Sequence, residues 1–260
     1  MQISDCIDDI ARSTGFLSRL PMPARHFAGH DGSLARASAM FPVAGLLIGL
    51  CPGLVVAVLS AGNANPALTA VLALAVLIGV TGALHEDGLA DSADAFGARG
   101  GRENMLEIMK DSRIGTYGVL ALLISFSLRA VALTIILSVI GGWNSLLVLL
   151  AVAAASRAAM VWHWYILPPA RQNGVAASVG APDQDARTQA LVVGGLVFVI
   201  LASLACGPIP ALLGLALLAA IASLWTSLVR SKLKGHTGDT IGATQQLTET
   251  VCLTALALLL

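Results

Sequence analysis

The sequence His85-Glu86-Asp87-Gly88-Leu89-Ala90-Asp91-Ser92-Ala93-Asp94 comes directly after the apolar run Pro66–Leu84. In a helix, about 20 residues cross the hydrocarbon core of a bilayer, and this apolar run has nearly that length. Charged residues return at the point where such a span must end. The boundary between the two stretches therefore predicts a transmembrane helix that leads into a polar site at the membrane surface.

The composition of the whole chain also indicates a membrane protein. Hydrophobic residues make up 57% of the chain, charged residues only 12%, and the mean hydropathy is +0.83. A soluble domain carries about 25% charged residues. The formal net charge is zero, so nothing in the charge balance indicates nucleic-acid binding. The four cysteines are far apart and form no CxxC motif, which argues against a thiolate metal site and against a disulfide framework.

Six apolar runs are candidates for membrane spans. They are Phe41–Ala61, Pro66–Leu84, Gly115–Ile140, Ser145–Leu167, Ala190–Cys206 and Pro210–Val229. A seventh run, Thr250–Leu260, is long enough only if Thr240–Glu249 belongs to the same helix. That preceding half is polar, so we expect it to face protein or water rather than lipid.

The positive charges determine the predicted orientation. The segment before the first span and every second connection hold 13 of the 15 Lys and Arg residues, and the positive-inside rule places that side in the cytoplasm. We therefore predict an all-α polytopic membrane protein with a bundle of six to seven transmembrane helices. Residues 1–260 form a single integral membrane domain, with a cytoplasmic or interfacial segment over 1–40 and the bundle over 41–260. The N-terminus and the polar site are predicted to face the cytoplasm.

The acidic run is the first candidate site. On a helix, Asp87, Asp91 and Asp94 fall within roughly 60° of arc, where their charges repel unless a cation lies between them. Carboxylate oxygens are the ligands that hard divalent cations prefer, so we expect a metal site here. Glu86 lies off that arc and is a candidate for a second metal ion or a hydrogen bond. The alternative is a solvated helix end without a ligand.

The segment Gly100–Gly115 is the second candidate. Glu103, Glu107 and Asp111 recur every four residues, which predicts that they share one helical face. Asp111 is expected to join the metal site. Lys110 and Arg113 are expected to bind phosphate through charge-assisted hydrogen bonds. The alternative is a surface helix that carries ion pairs.

The third candidate is the segment between residues 230 and 243, where basic residues lead into a glycine-rich turn before the last helix. Its charge comes from Arg230, Lys232 and Lys234, and its glycines are Gly235, Gly238 and Gly242. Glycine allows a phosphate to approach the backbone closely, and a helix N-terminus attracts anions. Asp239 is expected to cap the helix or to bind metal. A basic membrane anchor is the alternative.

Two arginines and an aromatic group lie inside apolar runs. Intramembrane arginines are candidate functional residues, and Arg157 lies near the cytoplasmic end of its span, where a substrate is within reach. Arg129 lies deeper and is expected to pair with a backbone carbonyl. The stretch Trp162-His163-Trp164-Tyr165 is typical of an interfacial aromatic belt, with base stacking as the alternative.

From these residues alone, we expect a membrane enzyme that works at the cytoplasmic face. Carboxylates would hold Mg²⁺, and basic side chains would bind a phosphorylated substrate.

Several motifs resemble one known family in order along nearly the whole chain. They are Phe16–Pro23, Phe41–Gly49, His85–Asp91, Met109–Gly115, Ser156–Ala158, Leu167–Arg171 and Thr237–Ala243. Together they resemble cobalamin synthase, the adenosylcobinamide-GDP ribazoletransferase family. His236 stands where we expect a smaller residue in that family.

The resemblance implies an inner-membrane enzyme that completes the nucleotide loop of a corrinoid. A ribose hydroxyl of α-ribazole, or of its 5′-phosphate, would attack the cobinamide-side phosphorus of adenosylcobinamide-GDP, and GMP would leave. As partners we expect these two substrates and the lipid bilayer but no nucleic acid. A homo-oligomer, or contact with other enzymes of the corrinoid pathway, is a further candidate.

With this reaction in view, we assign candidate roles to the motif residues. The expected catalytic residues are Glu86, Asp94, Lys110 and Arg113, with Glu86 or Asp94 as the proton acceptor. The expected substrate-binding residues are Arg157, Arg230, Lys234, Gly235, His236 and Gly238. The expected ligands of the cofactor Mg²⁺ are Asp87, Asp91, Asp94, Asp111 and Asp239.

Two other functions remain as alternatives. A CDP-alcohol phosphotransferase uses similar metal chemistry, but its motif is only loosely matched, since Ala90 and Asp91 stand one position early and its arginine is missing. An ion or solute transporter would place its charges near the middle of the membrane, whereas the acids here follow the apolar run.

Overall fold

The computed structural model describes residues 3–171 and 178–260, and these residues are helical with no named strand. The helices are α1 (Ile3–Leu17), α2 (Phe41–Ala61), α3 (Pro66–Thr81), α4 (Leu84–Gly97), α5 (Arg102–Ile108), α6 (Thr116–Ile166), α7 (Gln184–Cys206), α8 (Pro208–Leu233) and α9 (Gly238–Leu259). Short 3₁₀ turns at Ala24–His26 and Ala37–Met40 connect α1 to α2.

Four helical stretches among these residues are long and apolar enough to cross a membrane. They are Ala37–Ala61, Thr116–Ile166, Gln184–Cys206 and Pro208–Leu233, and the count becomes five if α3 and α4 together form one span. The prediction of an all-α membrane protein is confirmed at this level.

Helix α6 contains two of the predicted spans. Its 51 residues would measure roughly 75 Å if straight. Both of its ends nevertheless lie beside α4. At the first end Gly115 and Gly118 donate hydrogen bonds to Asp94, and at the other end Trp164 lines a cavity together with His85. The chain must therefore reverse direction within α6. The reversal lies at Gly141, which has φ 76° and ψ 173°, a conformation that glycine adopts without strain. The apolar runs that end at Ile140 and begin at Ser145 predicted a four-residue connection between two helices. The structure instead has a break at the single residue Gly141.

Helices α3 and α4 meet at an angle of 89°. The turn is made by Gly82 and Ala83, which both have left-handed backbone conformations with φ near 60°. Because of this turn, α4 does not continue the direction of α3.

Helix α9 is almost fully surrounded by protein. Its polar residues Thr244, Gln245, Gln246, Thr248 and Glu249 are all buried, and the helix packs against α4, α6 and α8. The condition for the seventh run is met, since Thr240–Glu249 and the final apolar run lie in one helix. Burial against protein explains how so polar a helix is accommodated.

One local prediction is wrong. Helix α5 ends at Ile108, so Asp111 does not share a helical face with Glu103 and Glu107. The Asp111 carboxylate instead accepts a hydrogen bond from the backbone N–H of Arg113, a local turn that competes with the helix.

Candidate active site at the crossing of α4 and α9

Helix α4 crosses the first turns of α9 at a backbone-to-backbone contact. A Cβ atom on Gly88 would lie 2.7 Å from the carbonyl oxygen of Asp239 and 3.2 Å from Cα of Gly242. The two backbones come this close because both helices have glycine at the crossing. Asp87, on α4, and Asp239, on α9, line the same cavity beside this contact. The fold thus brings together two acidic segments that are about 150 residues apart in sequence.

The carboxylates at the crossing influence one another. Partial burial, followed by the negative charges of Asp87, Asp239 and Asp94, raises the pKa of Asp91 to about 7. Asp87 is exposed, and Oδ2 of Asp239 is buried with no hydrogen-bond partner among residues 3–171 and 178–260. A guanidinium nitrogen of Arg171 lies 3.6 Å from that oxygen and forms the nearby positive charge. We call Asp87, Asp91 and Asp239 the acid cluster.

The acid cluster has the chemistry of a divalent-cation site but is not closed around one. Among residues 3–171 and 178–260, no group of three or more His, Cys, Asp or Glu side chains is assembled to hold a metal ion. The unpartnered oxygen of Asp239, and the burial and negative charge that raise the pKa of Asp91, are nevertheless what a hard cation with oxygen ligands would offset.

Asp94 has a different environment from the acid cluster. Its two carboxylate oxygens accept hydrogen bonds from the backbone N–H groups of Gly115 at 2.7 Å and Gly118 at 2.9 Å. These N–H groups begin α6 and have no partner within their own helix. Asp94 therefore caps α6 from a neighbouring helix, which fixes α4 against α6.

Glu86 belongs to a buried charge network inside the bundle. Arg129 donates to Glu86 at 3.2 Å and to Glu249 at 3.0 Å, and all three side chains are buried. Gln246 also donates to Glu86 at 3.0 Å. The expectation that Arg129 pairs with a backbone carbonyl is wrong, because α4 and α9 each supply a glutamate at its depth. We call Glu86, Arg129 and Glu249 the core ion network.

Arg157 lies close to this network rather than at the surface. It is fully buried and donates to the carbonyl oxygen of Ala153 at 3.1 Å. A Cβ atom on Gly45 would lie 2.8 Å from its side chain, so α2 packs directly against it. In this position the Arg157 side chain has no direct access to solvent.

The predicted phosphate-binding residues around position 110 lie in an exposed segment. Arg113 pairs with Asp111, with Nε 3.0 Å from one carboxylate oxygen, and this contact lowers the pKa of Asp111 to about 2. Lys110 is exposed as well. The structure therefore pairs Asp111 with Arg113 in the segment that follows α5.

The glycine-rich segment before α9 is held by backbone contacts. A short parallel bridge joins His236 to Pro169, and a Cβ on Gly235 would lie 2.5 Å from the carbonyl oxygen of Pro168. His236 is buried, which lowers its pKa to about 4. The segment is thus built into the fold through the residues just before position 171.

The remaining residues of this segment surround the start of α9. Thr237 and Thr240 form a capping box, so Asp239 does not serve as the helix cap. Gly238 is exposed, with open space where a side chain would be. Lys234 is exposed, and Arg230 donates to the carbonyl oxygen of Ile166 at 3.3 Å.

A cavity of about 200 Å³ opens beside the acid cluster. Asp87, Gly238 and Asp239 line one part of it, and the aromatic rings of Phe16, Phe41 and Trp164 line another. Trp164 is only 2% exposed, so it is not part of an interfacial belt as predicted. The aromatic side chains come from α1, α2 and α6, so the cavity is assembled by tertiary packing.

No role was assigned from the sequence to three residues at this site. Arg171, which pairs with Asp239, ended the family-like motif Leu167–Arg171. Phe16 and Phe41 began two further motifs of that kind and otherwise looked like ordinary apolar residues of α1 and α2. Only the long-range packing of these helices shows that the two rings face the acid cluster.

Comparison with known proteins identifies the family of the chain. The family model described as cobalamin-5-phosphate synthase matches residues 9–257. The adenosylcobinamide-GDP ribazoletransferase of Sinorhizobium medicae (strain WSM419) is 52% identical over 260 residues, which cover 99% of this chain and 98% of the relative. That of Bradyrhizobium diazoefficiens is 44% identical over 251 residues, covering 96% and 94%. No solved structure matches the chain. The chain belongs to the cobalamin-5-phosphate synthase family.

Proposed function

We propose that this chain is an adenosylcobinamide-GDP ribazoletransferase. The ribose hydroxyl of α-ribazole, or of its 5′-phosphate, forms a new P–O bond to the cobinamide-side phosphorus of adenosylcobinamide-GDP. The bond from that phosphorus to the bridging oxygen breaks, and GMP leaves with that oxygen. The proton of the attacking hydroxyl passes to a carboxylate of the acid cluster.

The relatives of the chain carry this activity in their names, and they cover nearly its full length. The comparisons do not favour a CDP-alcohol phosphotransferase or a transporter.

The observation that carries this proposal is the crossing of α4 and α9. It places Asp87 and Asp239 at one cavity and adds Arg171, 3.6 Å from Asp239. Phosphoryl transfer requires charge stabilisation and positioning more than covalent help from the protein. Opposed carboxylates beside a guanidinium are suited to that task.

Mg²⁺ fits the residues that are present. Asp87, Asp91 and Asp239 would hold it, since they supply hard oxygen ligands, and burial together with the negative charges of its neighbours raises the pKa of Asp91. When bound, the cation supplies positive charge to the oxygens of the reacting phosphoryl group.

The basic residues bind the leaving side of the substrate in this proposal. Arg171 lies at the cluster, and the exposed Lys234 and Gly238 lie on the segment that leads to it. The open space at Gly238 permits a diphosphate to approach the N-terminus of α9. Asp94 and Arg157 act at a distance, because Asp94 caps α6 and Arg157 is buried in the bundle.

The membrane arrangement is also a proposal. The reversal at Gly141 supports counting α6 as two spans, so α2, α3, the two halves of α6, α7 and α8 make six. Helix α9 is a seventh, enclosed by protein. Lys and Arg are concentrated before α2, in residues 85–114 and after α8, which supports a cytoplasmic N-terminus and a site that faces the cytoplasm of the inner membrane.

Purified full-length protein in detergent tests the proposal. With adenosylcobinamide-GDP, α-ribazole 5′-phosphate and Mg²⁺, it should release GMP and form one adenosylcobalamin 5′-phosphate for each GMP. Removing Mg²⁺ with EDTA should stop the release, and adding Mg²⁺ back should restore it. Asp185→Asn, an exposed carboxylate on α7, is the matched control for carboxylate substitutions in the acid cluster. No GMP release from folded wild-type protein would refute the function.

A further inference from the structure

We propose that the aromatic part of the cavity beside the acid cluster binds the benzimidazole ring of the ribazole substrate. This inference rests on the proposed function and adds to it where one substrate lies. The rings of Phe16, Phe41 and Trp164 line the cavity, and Asp87 and Asp239 line the same space. A nucleoside with its ring among the aromatic side chains would therefore hold its ribose beside the acid cluster.

The size of the cavity limits what it can hold. Its volume is about 200 Å³, whereas sites that enclose a complete drug-sized ligand measure roughly 300–1,000 Å³. A corrinoid is far too large, and so is a whole nucleotide. A single bicyclic ring with part of its sugar is of the right size.

The aromatic walls favour a flat apolar ring. The rings of Phe41 and Trp164 lie 6.2 Å apart between centroids, and Phe16 stacks on Phe41 at 6.3 Å. Aromatic pairs at these separations attract one another through offset or edge contacts, and a further ring gains the same contacts. The apolar neighbours Leu17 and Met160 complete the wall.

Two residues that line the cavity each carry a buried polar atom without a partner. Among the described residues, no group makes a hydrogen bond with the indole Nε1 of Trp164 or with Nε2 of His85. A buried donor without a partner is costly, so a ligand that accepts a hydrogen bond here is favoured. The benzimidazole of a ribazole has a single free ring nitrogen, which is an acceptor.

The same chemistry disfavours the guanine of adenosylcobinamide-GDP as the occupant. Guanine has donors and acceptors along its outer edge, and walls made of Phe16, Phe41 and Leu17 would leave most of them without partners. A lipid acyl chain would satisfy the apolar walls but would leave the N–H of Trp164 unpaired.

The test measures the two substrates separately in full-length protein. Trp164→Phe keeps a ring and removes the N–H, and it should raise KM for α-ribazole 5′-phosphate about tenfold while leaving KM for adenosylcobinamide-GDP unchanged. Trp143→Phe is the matched control, since Trp143 is 72% exposed and lies next to the break at Gly141. Phe16→Ala is a second variant, and because Phe16 is 37% exposed, its removal should leave the fold intact. It should also raise KM for the ribazole substrate alone.

Calorimetry gives a readout that does not depend on turnover. α-Ribazole should bind the wild-type protein and bind both variants about tenfold more weakly, and guanosine should not compete with it. If the variants instead raise KM for adenosylcobinamide-GDP, the cavity holds guanine and the inference is wrong. If neither variant changes either KM or the affinity for α-ribazole, the cavity is a lipid site and the inference is also wrong. In both cases GMP release by the wild type would still support the proposed function.

Discussion

The carboxylates of the acid cluster and those of the core ion network come from the same two helices, α4 and α9. The two groups differ in how their charges are paired. Asp87 and Glu86 are neighbours on α4, and Asp239 and Glu249 are both on α9. In the core ion network, Arg129 pairs with both glutamates at 3.0–3.2 Å, within the bundle. In the acid cluster, Arg171 lies 3.6 Å from an oxygen of Asp239, but that oxygen has no hydrogen bond from any described residue, and Asp87 is exposed. Paired charges hold the two helices together in the core ion network, whereas carboxylates with an unsatisfied oxygen or an open side remain available for chemistry.

Removal of the shared arginine should have the largest effect. Arg129→Met leaves two buried glutamates without their counter-charge, and breaking a buried pair in this way costs about 3–5 kcal/mol. We expect a large drop in the midpoint of thermal unfolding in detergent. Adding Glu86→Gln and Glu249→Gln to this variant should restore much of the loss. An unchanged midpoint in Arg129→Met would show that the network does not hold α4 against α9.

Neutralising the acid cluster should affect catalysis and leave the fold unchanged. Asp239→Asn keeps the shape of the side chain and removes its charge, and losing one electrostatic contribution of this kind typically costs 10²–10³-fold in kcat, roughly 2.7–4 kcal/mol. GMP release under saturating substrates measures it, with Asp185→Asn as the control. A wild-type kcat in Asp239→Asn would remove this residue from the site.

These two predictions depend on contacts that the sequence could not supply. The apolar runs were identified correctly, because hydropathy along about 20 residues is a local property. The position of the acidic helix after α3 also followed from the sequence. By contrast, Arg129 meets glutamates that are 43 and 120 residues away, and no local pattern reveals such partners.

Part of the candidate site could also be predicted from the sequence, and part could not. Asp87 was singled out because it shares a helical face with Asp91 and Asp94, and Asp239 because it follows a glycine-rich turn before the last helix. The structure brings both to one cavity, and their role as metal ligands stays a prediction. Asp94 was grouped with the metal ligands because helical periodicity does not show that Gly115 and Gly118 need its oxygens. Asp111 was misplaced because α5 ends three residues before it. The sequence places Trp164 on a helix but does not show which way its side chain faces. Only its packing against Phe41 shows that it is buried.

The glycine crossing should show the next effect in size. Gly88→Ala adds a Cβ at 2.7 Å from a backbone oxygen of α9, which cannot move without separating the helices. Overpacking of this kind costs about 1–3 kcal/mol. We expect lower thermal stability together with lower kcat. Gly79→Ala, on α3, is the control because nothing lies within 4 Å of its added Cβ. Equal behaviour of the two variants would argue against a tight crossing.

The smallest expected effect is a pH dependence of stability in metal-free protein. Burial and, after it, the negative charges of neighbouring carboxylates raise the pKa of Asp91 from 3.8 to about 7 in the folded state. Between these two values the folded state holds a proton that the unfolded state has released, so stability falls as pH rises through this range. Thermal unfolding in EDTA between about pH 4.5 and 8 should show the slope, and Asp91→Asn should flatten it. The same slope in that variant would assign it to another group.

Binding of Mn²⁺ to full-length protein, followed by electron paramagnetic resonance, separates the two regions most directly. The wild type should bind Mn²⁺, and Mg²⁺ should displace it. Asp239→Asn should weaken binding at least tenfold, whereas Glu249→Gln, on the same helix but in the core ion network, should bind as the wild type does. Unchanged binding in Asp239→Asn, or equal loss in Glu249→Gln, would contradict the assignment of the acid cluster as the metal-dependent centre.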